Sequence, residues 1–233
     1  MSPTGNEKLF MVNSKERRPD CRSGKTGQGP ARRFFYIQQD ALRSAPQSAN
    51  KRELYQRSLT RLVIVRAACC DRTAPPRGRL RAGSAILTCA IGSAGIQHRK
   101  REGDGATPAG RFACLGGFFK AGAMGRPRTL LSLRPISKDM GWCDDPQAAN
   151  YNRLVRLPVR VSHETLWRDD GLYDLVIVLD YNFTRRAKSR GSAIFLHCAR
   201  ADFAPTAGCI ALTPEAWRRL LPRLSRHVKV IVR

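Results

Sequence analysis

Short apolar runs, fenced by glycine, proline or polar clusters, most constrain what this chain can fold into. They are Leu62-Val-Ile-Val65, Ser84 to Ile91, Tyr173-Asp-Leu-Val-Ile-Val-Leu179, Ala193-Ile-Phe-Leu196 and His227-Val-Lys-Val-Ile-Val232. Such runs are too short for buried helices and rich in β-branched residues, so they predict strands. Pro75-Pro-Arg-Gly78 is a turn, and Gly78 to Ala82 followed by Ser84 to Ile91 predicts an antiparallel meander with the run before it. A helix is predicted from Thr213-Pro214-Glu215 to the Pro222–Ser225 region, with Thr as N-cap, Pro in the first turn and Glu at the positive end of the dipole. The chain therefore reads as mainly β with a minor α component, mostly antiparallel strands and one or two helices.

Residues 1–60 are rich in Ser, Gln, Asn, Gly and Arg, carry 12 Lys+Arg against 5 Asp+Glu and show no sustained period. They predict a disordered basic extension, with a weak helix over Arg33 to Arg57. A start codon placed upstream of the true one would also explain that segment. Residues 62–233 are then one domain, within the size of a single good core. Gly103-Asp-Gly-Ala-Thr-Pro-Ala-Gly110 predicts a loop, and it lacks the Gly-Lys-Ser/Thr ending of a phosphate-binding loop. A second loop-rich region is expected from Pro135 to Pro158, around Gly141-Trp-Cys-Asp-Asp-Pro146. Its length favours a role facing substrate, the alternative being a surface excursion packed by Trp142 and Tyr151.

The net charge is +24, from 42 Lys+Arg against 18 Asp+Glu. It is spread along the chain without blocks of like charge, and aromatic residues for base stacking are few, so no nucleic-acid partner is expected. The eight cysteines, at 21, 69, 70, 89, 114, 143, 198 and 209, have no paired metal-ligand spacing, so no metal and no cofactor are expected. No apolar run is long enough for a membrane-spanning helix. Leu9-Phe-Met-Val12 is too short for the core of a signal peptide.

The segment from Ser192 to Leu212 carries the chemistry. The Ala193–Leu196 run predicts a buried strand delivering His197 at its end, and Ala204 to Gly208 must turn before Cys209. A thiol, an imidazole and the backbone amides that Gly208 exposes are what thioester chemistry needs: nucleophile, base and oxyanion donors. A cysteine followed by Ile-Ala-Leu is also an ordinary small core residue, and the local pattern alone leaves both readings open.

Three ordered motifs bear on that choice: Lys100-Arg-Glu-Gly-Asp-Gly-Ala-Thr-Pro-Ala-Gly-Arg-Phe112; Gly141 to Pro146 with Tyr151-Asn152-Arg153; and His197 to Cys209. Together they resemble the bacterial L,D-transpeptidase catalytic domain of the YkuD type, over about residues 62–233. The resemblance implies a β-sandwich or barrel in which Cys209 attacks a peptidoglycan tetrapeptide stem, D-alanine leaves, and an amine of a neighbouring stem resolves the thioester to a 3→3 crosslink. It implies His197 as general base, Gly208 as backbone oxyanion donor, a carbapenem as covalent inhibitor, and a place in the periplasm or cell envelope. Hydrolysis would instead make a carboxypeptidase or endopeptidase. A basic module that holds an anionic polymer without chemistry is the alternative of another class.

The family commonly has Ser/Thr-His-Gly-Cys where this chain has Thr206-Ala207-Gly208-Cys209, which leaves the base role to His197. A backbone carbonyl is the expected partner that orients its ring. Arg200 lies between base and nucleophile, where it either clamps a substrate carboxylate or is simply solvated. Thr206 either donates to substrate or braces the turn. Position in the motif makes Asp144, Tyr151, Asn152 and Arg153 expected substrate contacts. Glu102, Asp104 and Thr107 are expected to tie their own loop, and His98, His163 and His227 to sit at the surface.

Overall fold

The computed structural model describes residues 58–68, 74–123, 125 and 127–233. The extension expected over 1–60 lies outside them apart from its last three residues, and the weak helix expected over 33–57 lies wholly outside. The first apolar run forms β1 (Arg61–Arg66), which pairs antiparallel with β2 (Arg77–Ala82), itself a hairpin with β3 (Ala85–Ala90). In β2 arginines at 77, 79 and 81 face out, while Gly78, Leu80 and Ala82 face in, the period-two pattern of a half-buried strand.

The remaining strands are β4 (Ile96–Gln97), β5 (Thr107–Pro108), β6 (Gly110–Phe119), β7 (Leu133–Pro135), β8 (Met140–Cys143), β9 (Arg153–Arg156), β10 (His163–Thr165), β11 (Leu175–Leu179), β12 (Phe195–Cys198), β13 (Ile210–Leu212) and β14 (Lys229–Val232). The predicted helix is α1 (Pro214–Leu220), capped by the Thr213 side chain accepting from the Ala216 N–H and followed by a 3-10 turn at Leu221–Arg223. The main sheet runs β11-β12-β13-β3-β2-β1-β14-β6-β7, and β6 also pairs with β11, so the sheet closes into a barrel. Most pairings are antiparallel, but β1 with β14, β12 with β13 and β6 with β7 are parallel. Closure removes the open edges that an eight-to-nine-stranded sheet would otherwise present.

The barrel interior holds Leu62, Ile64, Leu80, Ile177, Leu196 and Trp217, and α1 adds Ala216 and Leu220 to the same core. A second apolar cluster lies outside the barrel wall, against the small antiparallel sheet β10-β8-β9, and includes Phe118, Trp142, Tyr173, Val178, Phe195 and Cys209. β11 serves both: Leu175, Ile177 and Leu179 join the first cluster, Val176 and Val178 the second. Burial on both faces explains its unbroken apolar run, each such side chain stabilising the fold by about 1.5–3 kcal/mol.

Two regions differ from expectation. Pro135–Pro158, expected as loop, contains β8 and β9, whose four-residue lengths and interrupting Gly141 hide them; a Cβ at Gly141 would lie 2.8 Å from Leu157 Cδ2. β6, the longest strand, contains Gly116-Gly117, which conceals it in the sequence. Gly117 is there for close approach: a Cβ on it would fall 1.9 Å from the Val176 carbonyl oxygen of β11. Among the described residues no helix is long and apolar enough to cross a membrane.

Candidate active site

Parallel pairing of β12 with β13 brings the histidine and the cysteine together. The register sets Leu196 beside Ile210 and His197 beside Ala211. Side chains alternate along a strand, so Leu196 and Ile210 enter the barrel while His197 and Ala211 face the other way. Cys209 precedes β13 by one residue and keeps the same outward face, with its Sγ accepting from the Phe195 N–H at 3.3 Å. His197 and Cys209 thus line one cleft, of about 380 Å³.

Both groups are buried and neutral at pH 7. The Cys209 thiol donates to the Ala193 carbonyl at 3.1 Å, and burial pushes its pKa up to about 12, with the charge of Glu164 adding to the rise and the Phe195 N–H and Lys100 opposing it. Burial likewise pushes His197 down to about 4, against the pull of its backbone partners. Its Nδ1 lies 2.8 Å from the Cys198 carbonyl. A carbonyl only accepts, so Nδ1 carries the hydrogen and Nε2 is left as the basic nitrogen. The ring stands edge-on to Tyr173, with centroids 5.3 Å apart, and the Trp217 indole N–H holds the His197 carbonyl at 3.0 Å.

The turn before the cysteine is fixed by its own residues. Gly208 has φ +141°, and a Cβ there would lie 2.7 Å from the Ala106 carbonyl oxygen. Its N–H, expected at the oxyanion, donates to Thr206 Oγ1 at 3.1 Å, while that hydroxyl donates to the Cys209 carbonyl at 2.6 Å. Of the two expected roles for Thr206, the structure gives it the bracing one, although it lines the cleft. The loop expected around Gly103–Gly110 packs beneath this turn. Asp104 accepts from the Arg101 and Ala106 amides and from Lys100 Nζ, the last at 2.5 Å. Lys100 is 2% exposed, and its methylene stem lies against Gly191 and Gly208.

The other sequence-predicted residues divide into two groups. Asp144 and the exposed Arg200 line the cleft. Tyr151, Asn152 and Arg153, expected to touch substrate, do not line it; they are buried behind it and support it. The Tyr151 hydroxyl donates to Glu102, and Arg153 donates to the Asn152 carbonyl and lies over the Phe183 ring. Asn152, at φ +56°, accepts from the Trp142 indole at 3.0 Å and from the Ala193 N–H at 3.1 Å. Ala193 is the residue whose carbonyl receives the Cys209 thiol, so Asn152 braces the thiol's partner from one residue further back. His98 and His227 are exposed, and His163 is half-buried with Nδ1 at 2.8 Å from the Val161 carbonyl.

Sequence reasoning missed Glu164, Arg168 and Tyr173, all of which line the cleft. Glu164 lies in the middle of the short β10 and Arg168 just after it; neither carries a motif of its own, so only the pairing of β10 with β8 brings them here. No curated protein and no solved structure matches the chain. Residues 66–232 match the sequence profile of the L,D-transpeptidase catalytic domain. A closed, mainly β barrel whose matched segment covers most of the 233 residues places this chain in the YkuD family of L,D-transpeptidase catalytic domains, enzymes that act on peptidoglycan.

Proposed function

We propose that residues 62–233 form a cysteine-dependent L,D-transpeptidase that acts on peptidoglycan tetrapeptide stems in the cell envelope, through a thioester at Cys209, to make 3→3 crosslinks. The observation that carries this reading is the common outward face of β12 and β13, which gives Cys209 and His197 one cleft. Because thiol and imidazole are both neutral, the proton leaves Sγ for His197 Nε2 as the sulfur attacks the stem carbonyl, without a standing thiolate and imidazolium pair. The developing oxyanion draws the Gly208 N–H away from Thr206 Oγ1. His197 then returns its proton to the nitrogen of the departing D-alanine, whose carboxylate Arg200 holds, and the acyl group stays on sulfur. An amine from a second stem attacks that thioester and frees the thiol.

The test uses the full chain with a stem tetrapeptide and, separately, with a carbapenem. The wild type should release D-alanine and gain the mass of one carbapenem, and Cys209→Ala should do neither. A wild-type protein that remains unmodified and releases no D-alanine overturns the proposal. D-alanine release without dimer formation would make it a carboxypeptidase of the same chemistry.

A further inference from the structure

Of the three carboxylates that line the cleft, Glu102 accepts from the Tyr151 hydroxyl of the supporting layer, and the other two have no part in forming the thioester. Glu164 of β10 and Asp144, which follows β8, line it together with Cys209. Antiparallel pairing sets Glu164 opposite Trp142 and His163 opposite Cys143, so both acids belong to the same end of the small sheet. The Tyr173 hydroxyl donates to Glu164 Oε1, and the same ring stands edge-on to His197. Arg168 lies over the Tyr173 ring but turns Nε and Nη2 to Asp170, at 3.0 and 2.5 Å. Among the described residues, then, no cation hydrogen-bonds to either carboxylate. Asp144 Oδ1 is sealed from solvent and has no hydrogen-bond partner there. A shielded carboxylate oxygen without a donor is costly, and a positively charged donor is the ligand that relieves it best.

The field of Glu164 also works against the first half of the reaction. It raises the thiol that must lose its proton. Once the sulfur is acylated that penalty is gone, and what remains is a pair of carboxylates beside a thioester awaiting an amine, in a cleft that Lys100, Arg168 and Arg200 also line.

We propose that Glu164 and Asp144 form the ammonium subsite for the acyl acceptor, and that Glu164 takes a proton from that ammonium so that its nitrogen can attack the thioester. The inference rests on the reading of Cys209 as the acylated nucleophile. An ammonium gives one proton to Glu164, and the amine then forms its C–N bond to the thioester carbonyl. The tetrahedral adduct breaks its C–S bond, and the nitrogen's second proton passes by way of His197 to the departing sulfur. An amide and the thiol result, with one proton left on Glu164 for solvent. Burial raises the Glu164 carboxyl and makes its anion the stronger base, with the Tyr173 hydroxyl and Arg168 opposing the rise and Asp144 adding to it.

The test uses the full chain with tetrapeptide as donor and stem tripeptide as amine acceptor, reading D-alanine release and the ratio of dimer to hydrolysed product. Glu164→Gln, freed of the charge that raises the thiol, should release D-alanine no more slowly than wild type while its dimer ratio falls on the order of a hundredfold, the loss of one general base. Asp144→Asn should raise the acceptor KM by a larger factor than it changes D-alanine release, and Glu164→Asp should recover part of the dimer ratio. A tripeptide acetylated on its side-chain amine should give no dimer with any protein. The proposal is overturned if Glu164→Gln and Asp144→Asn both keep a wild-type dimer ratio and acceptor KM. It is overturned too if the wild type releases D-alanine but never makes dimer. Absence of D-alanine release from the wild type removes the thioester reading itself, a different result.

Discussion

Leu196 and Cys198 of β12 point into the barrel among Leu62, Ile64 and Leu212, whereas Phe195 and His197 of the same strand point outward into the cleft region. Both faces are dry, but dryness does different things on them. Inside, it removes apolar area from water and stabilises the fold, and any side chain of similar shape would serve. Outside, it acts on titratable groups: the same exclusion of water holds the imidazole neutral and keeps the thiol protonated. The fold thus places an imidazole and a thiol on the outer side of a wall whose inner side supplies the stability.

Substitutions on the two faces should therefore separate activity from stability. The largest effect is expected at His197→Gln, which should lower the rate of Cys209 acylation by about 10²- to 10⁴-fold with little change in melting temperature. In the wild type the acid limb of the acylation rate should fall near pH 4, because His197 titrates there and not near 6.5. The sign for stability follows: the unfolded chain takes up this proton first, so stability is lost as pH drops from about 6.5 towards 4. An acid limb near 6.5 would mean that the imidazole is hydrated and that the outer face is not dry. Next, Leu196→Ala should cost about 2–5 kcal/mol in denaturant unfolding, while the acylation rate per folded molecule stays near wild type. A large rate loss in that variant would show that the two faces are coupled. The smallest effect, about 1–3 kcal/mol of stability, is expected for Asn152→Ala, which strips an acceptor from the Trp142 indole and the Ala193 amide. It should also slow acylation several-fold by loosening the carbonyl that holds the thiol, and an unchanged rate would count against its positioning role.

The inner face was the legible one. Runs such as Leu175–Leu179 announce themselves because burial on both sides leaves no polar residue to interrupt them. The Thr213 cap was equally plain, since local chemistry decides it. That His197 and Cys209 share a cleft was legible because one short segment contains them. The rest of the cleft was not. β8, β9 and β10 are three or four residues long, so no period can be read from them, and Glu164 gains its neighbours only through pairing with β8. Tyr151, Asn152 and Arg153 could be placed near the site by motif, but which side of the cleft wall they occupy depends on the left-handed turn at Asn152.

The place of β14 has a consequence for synthesis. This last strand lies between β1 and β6, parallel to the first and antiparallel to the second. A ribosome delivers residues in order, so β1 and β6 each carry an unpaired edge until residues 229–232 have emerged. Barrel closure thus waits for residues 229–232, and until they emerge the two edges are open to other strands.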